Sequence, residues 1–107
     1  MANTAFPWVA FERLVGALAC RIGSQPTVER IRMTPWSSMS FSGHRICFAL
    51  WLDGAQGRDR ATALTDDLDY TEFDLGDRIL ADILVMNQSI NRAGARIEIE
   101  ALLLANE

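Results

Sequence analysis

The chain has 107 residues and a mass of 11.9 kDa, less than one typical domain length, so a single domain over residues 1–107 is expected. Half of the residues are apolar and only 22% are charged, which excludes an intrinsically disordered chain. A net charge of −4 and a pI near 4.9 exclude the basic footprint of a nucleic-acid-binding domain.

Residues 4–21 read as a first helix, with Thr4 as N-cap, Pro7 in the first turn and Gly23 as the stop. Trp8, Phe11, Val15, Leu18 and Ile22 recur at spacings of 3, 4, 3 and 4, one stripe broad enough to pack across a sheet. The apolar stretch is interrupted by Glu12, Arg13 and Arg21, and it falls short of the roughly 20 clean apolar residues of a membrane span. Its polar face also lacks the basic character of a membrane-surface helix. The first charge is Glu12, so the basic start of a secretory signal peptide is missing and a cytoplasmic location is expected.

After a connector at residues 24–26, residues 27–33 alternate as a short, arginine-decorated edge strand. Ile31 and Met33 fall on one of its faces, and Val28, Arg30 and Arg32 on the other. Residues 34–38, containing Pro35 and Trp36, read as the turn that follows. Residues 40–52 form the clearest strand: His44, Ile46, Phe48, Leu50 and Leu52 share one face, and Arg45, Cys47, Ala49 and Trp51 the other.

Residues 53–57 are a loop, and Asp59 reads as the N-cap of a short second helix carrying Ala61, Leu64 and Leu68. Thr62 and Thr65 weaken that helix and leave an extended hairpin as the alternative. Residues 78–87 fit both a helix and a strand buried on two faces. Strand is preferred, because Ile97, Ile99, Ala101 and Leu103 alternate with Arg96, Glu98 and Glu100 in a convincing partner over 95–105, with residues 87–94 as the turn.

The expected fold is therefore α+β, in the order α-β-β-α-β-β: an antiparallel sheet of four or five strands with the N-terminal helix and the short second helix on one face. A helix wrapped by a meander, as in cystatin-like or hot-dog-like domains, is the alternative. Either leaves a second sheet face needing cover. With Cys47, Ala49 and Trp51 on it, a homodimer is the expected cover.

Trp36-Ser37-Ser38, Phe41-x-Gly43-His44, Glu72-Phe73-x-Leu75, Ala81-Asp82-Ile83 and Ile97-Glu98-Ile99-Glu100-Ala101-Leu102 together resemble a small family of uncharacterised bacterial proteins, over roughly residues 28–104. The resemblance supports a strand at Arg78 and carries no activity with it. The central-helix acid and the His-Gly-Gly turn of hot-dog thioesterases and dehydratases have no counterpart, since Glu12 is the one acid on the first helix and His44 lies on a strand.

Chemistry-bearing residues are few. Cys20 and Cys47 are the only cysteines, 27 positions apart, so no zinc-site spacing exists and no metal or cofactor is expected. All ten basic residues are arginine; they are scattered, which fits base composition better than an anion site, and the absence of lysine excludes Schiff-base chemistry. Residues 1–60 carry seven arginines against four acids, whereas residues 61–107 carry three against ten. The run Asp66, Asp67, Asp69, Glu72, Asp74, Asp77 fails the calcium-loop pattern because Glu72 stands where glycine is needed, and it reads as a solvated face or, less commonly, a mimic that occupies a basic surface.

His44 is the one histidine, and Asp82, set between Ala81 and Ile83, is a carboxylate that needs a partner. A His44/Asp82 acid–base pair is the sharpest catalytic expectation, with a purely structural pairing of each residue as the commoner arrangement. Cys47 lies three positions from His44 and so points to the opposite strand face. Trp36 is a candidate to stack on a ligand, and Arg45 is a second ligand-binding candidate that, like Ser42, could also join the His44/Asp82 pair. The leading functional expectation is a self-associating module that binds a partner protein or a small ligand. The alternative is a small hydrolase or lyase using His44 and Asp82 at a dimer-interface cleft.

Overall fold

Helix α1 (Trp8–Ile22) begins directly after Pro7 and ends at Gly23, whose left-handed conformation lets its N–H close on the Ala19 carbonyl. Arg21 in the last turn complements the helix dipole. In this computed structural model, residues 6–54, 57–66, 68, 73, 75, 76 and 78–105 are described. The elements that follow are β1 (Thr27–Ser37), β2 (Ser42–Asp53), α2 (Gly57–Thr65), β3 (Arg78–Ile90) and β4 (Gly94–Ala105). The chain is an α+β domain in the order α-β-β-α-β-β. Its four strands form one antiparallel sheet in the order β1-β2-β4-β3.

One face of that sheet carries the core. Ile46, Phe48, Leu50 and Leu52 of β2 and Ala95, Ile97, Ile99, Ala101 and Leu103 of β4 are buried beneath Ala10, Phe11, Leu14, Val15, Leu18 and Ile22 of α1 and Ala61 and Leu64 of α2. Each large aliphatic side chain buried this way contributes about 1.5–3 kcal/mol. Phe11 meets Phe48 edge-on, with ring centroids 5.1 Å apart, and so fixes how α1 lies on the sheet. Leu68 and Leu75, outside the regular elements, fill the same core.

Several details differ from the sequence reading. Thr4 lies outside the described residues, and α1 starts at Trp8. Trp8 itself is 55% exposed, and the buried stripe is completed instead by Ala10 and Leu14. Asp59 lies inside the first turn of α2 rather than at its cap. Residues 34–37 are not a turn but the end of β1, with Pro35 opposite His44 and Trp36 opposite Gly43. Proline is tolerated there because β1 is an edge strand and its missing N–H faces outward. Val28 sides with Met33 against the core, not with Arg30 and Arg32 against solvent.

The cause of that last change is a β-bulge. Between Glu29 and Arg32 the register shifts by one residue, and Arg30 takes a left-handed φ of 57°. One extra residue reverses the alternation, so positions 28 and 33 reach the same face although they are an odd number apart. β3 carries two more such shifts, at Leu80/Asp82 and Val85/Asn87, and it runs three residues past the expected end.

Candidate functional site

Among the described residues no helix lies against the second face of the sheet, and its register can be read row by row. Trp36, Gly43, Leu104 and Ile79 form one row across the four strands. Thr34, Arg45, Leu102 and Asp82 form the next, then Arg32, Cys47, Glu100 and Leu84. Glu29, Ala49, Glu98 and Asn87 follow, and then Thr27, Trp51, Arg96 and Ser89.

Three ion pairs run across this face. Arg45 Nη1 donates to Glu100 Oε1 at 2.7 Å, and Arg96 Nε donates to Glu29 Oε1 at 2.6 Å. Arg30 Nη1 lies 3.6 Å from Glu98 Oε1. The last two pairs join β1 to β4 over the top of β2, and beneath them lies Ala49, buried on a face that no other described element covers. Arg96 also stacks on Trp51, 5.3 Å from ring centroid to guanidinium carbon, while Trp51 Nε1 donates to Asp53 at 2.7 Å. Exposed pairs of this kind are each worth about 0–1 kcal/mol, so their role is to fill and order the face more than to hold the fold.

Both edge strands bulge at the same level. Arg30 and Ile31 bulge opposite Phe48, Phe48 pairs with Ile99, and Met86 bulges beside Val85, the partner of Ile99. Bulges strengthen twist and re-aim side chains, and here they leave a depression of about 510 Å³ lined by Arg30, Ile31, Cys47, Ala49, Met86 and Glu98, among others. Ile31 and Met86 stand 37% and 59% exposed at its two sides. Ile79 and Leu84 are also exposed on this face, next to the half-buried Leu102 and Leu104.

The residues expected to bind or catalyse are placed as follows. Trp36 and Arg45 do share the uncovered face, but neither lines the depression, and Arg45 is committed to Glu100. His44 is buried on the helix-covered side, opposite Leu103, and its Nδ1 has no hydrogen-bond partner. Burial, with the Arg78 guanidinium adding to it, holds its pKa below the ordinary 6.5. Asp82 is exposed on the other side, opposite Leu102. Leu102 and Leu103 are neighbours on one strand and point to opposite faces, so the sheet itself separates His44 from Asp82.

Among the described residues no group of three or more His, Cys, Asp and Glu could hold a metal, and of the acids between positions 66 and 77 only Asp66 is described. Nor is any described helix long and apolar enough to cross a membrane. Ile31 and Met86 were missed by alternation because each sits where a bulge breaks it; the signal available was the break itself. A scan against protein-family models, a search of curated proteins and a search of solved structures each find no match to this chain.

Proposed function

We propose that this protein is a non-catalytic, self-associating binding module that works through the uncovered face of its sheet. The observation that carries the reading is the make-up of that face: exposed Ile31, Ile79, Leu84 and Met86 surround a floor whose charges are mostly neutralised in place. Neutralised ion pairs lower the cost of desolvation, and grouped apolar side chains supply the drive to bury them. A face four strands wide at about 4.8 Å each and roughly 11 residues long offers a footprint near 700 Å², close to the ~800 Å² that each partner gives to a standard interface. The chemistry residues support the same reading, since the one histidine is sealed away from this face.

The test is sedimentation of the wild type and of Leu84→Arg, which places a charge on the face without touching the core. A concentration-dependent dimer that the substitution abolishes, with helix and strand content unchanged, is the expected result. A wild-type chain that stays monomeric from micromolar to near-millimolar concentration ends the reading. The two free cysteines, Cys20 exposed on α1 and Cys47 half-buried on the open face, support a reducing compartment, and a cytoplasmic setting belongs to the same proposal.

A further inference from the structure

Nine charged side chains occupy described positions on the uncovered face: Glu29, Arg30, Arg32, Arg45, Asp53, Asp82, Arg96, Glu98 and Glu100. Six are used in the three ion pairs, and Asp53 accepts from Trp51. Arg32 and Asp82 remain, with no ion pair or hydrogen bond of their own among the described residues. They have opposite sign, and they stand on the two opposite edge strands, β1 and β3, in adjacent rows.

A two-fold axis lying in the plane between two such faces has two natural directions. Set across the strands, it stacks each strand on its own copy and lays the row it passes through against itself (at the level of Cys47, Arg32 on Arg32 and Glu100 on Glu100), a like-charge arrangement that disfavours association. Set along the strands, between β2 and β4, it keeps every row at its own level and lays β1 over the partner's β3. Arg32 then faces Asp82 of the partner subunit, about 10 Å away in height and about 7 Å along the strand, a span that an extended arginine and an aspartate cover together. The same operation superposes the two edge bulges. Ile31 comes over Met86 of the partner subunit, because both bulges sit at the level of Phe48 and Ile99. The charge left over and the apolar side chain left over thus find their complements under one operator.

We infer that the protein pairs with a second copy of itself, uncovered face to uncovered face, about a two-fold axis running along the strands between β2 and β4, with Arg32 bonded to the partner's Asp82 and Met86 seated beside the partner's Ile31. The inference rests on the self-association reading and gives it a symmetry and a register. The contact is isologous, so each bond occurs twice and the assembly closes at two copies.

The experiment is a charge exchange followed by sedimentation. Arg32→Asp and Asp82→Arg each place two like-charge contacts in the dimer, and each weakens dimerisation by about tenfold or more, while the two substitutions combined in one chain restore it to within about threefold of wild type. Both positions are exposed, so the urea midpoint of the fold serves as the control for each variant. A second readout removes dependence on charge: with Cys20 and Cys47 both replaced by serine, Met86→Cys with Ile31→Cys yields a covalent dimer with a short bis-maleimide that spans the gap between the faces. A dimer that is indifferent to both single reversals, or that is weakened by the combined exchange as much as by either alone, overturns the pairing mode and leaves self-association standing. A wild-type monomer overturns both.

Discussion

His44 and Asp82 sit one row apart on opposite sides of the same sheet: His44 opposite Leu103 beneath the helices, Asp82 opposite Leu102 in solvent. Residues divided by a sheet share no hydrogen bond and no cavity, so their energetics are independent. A double-mutant cycle on His44→Ala and Asp82→Ala in urea unfolding is expected to close to within about 0.5 kcal/mol. A coupling well above that value would show that they communicate after all.

The buried Nδ1 of His44 gives the second prediction. Burial and Arg78 favour the neutral imidazole in the folded state, so the unfolded chain takes up a proton first as pH falls. Stability contributed this way is complete above about pH 6.5, declines as pH drops below it, and levels once the folded imidazole also protonates. His44→Leu is expected to remove that part of the acid sensitivity and to raise stability at neutral pH by about 1 kcal/mol, because an unsatisfied buried nitrogen disappears. Urea midpoints of both chains at several pH values between 5 and 8 test it, and parallel curves would refute it.

Arg30 holds a left-handed φ that costs a residue with a Cβ about 1–2 kcal/mol. Its bond to Glu98 is long and exposed and offsets little of that. Arg30→Gly is therefore expected to stabilise the fold by roughly 0.5–1 kcal/mol in chemical denaturation, once the larger entropy of an unfolded glycine is set against the relief. A loss of stability would mean that the ion pair outweighs the strain.

Gly94 begins β4 at φ 157°, and a Cβ there would overlap the Leu52 carbonyl oxygen of the neighbouring strand. Asn91 Oδ1 also holds the Gly94 N–H, so the tight connection from β3 cannot easily shift to make room. Gly94→Ala is expected to cost about 2–3 kcal/mol in thermal or urea unfolding. A change under half a kcal/mol would show that the β3–β4 turn is more pliant than its contacts imply.

The elements that the sequence reading placed well are those whose alternation is unbroken. β2 runs from Ser42 to Asp53 without a register shift, and its two faces were read as they are. β3 was identified as a strand through its partner, since two bulges let apolar residues fall on both parities. Val28 was assigned to the wrong face because a bulge marked by arginine instead of glycine leaves no trace in residue type. Trp36 reads as part of a turn because a proline followed closely by Ser37 and Ser38 signals one anywhere but on an edge strand. The proposed acid–base pair failed for a different reason: parity fixes which residues of one strand share a face, and only the register between strands fixes how two strands' faces correspond. Arg32 and Asp82 are both visible as charges, but nothing in the linear chain shows that on this face they are the two with no partner among the described residues.

The strand order has a consequence for how the protein comes into being. β4, the last of the four to leave a ribosome, is the strand that joins the other three, lying between β2 and β3, which do not pair with each other. Until it emerges, the β1–β2 hairpin can form alone, whereas β3 lacks its one neighbour and displays Ile79, Leu84, Met86 and Ile90 on a segment with no proline or lysine. Such a segment is a template for mispairing while it waits. A chain cut after Ala93 keeps β3 in that state, so its aggregation should far exceed that of the chain carrying β4.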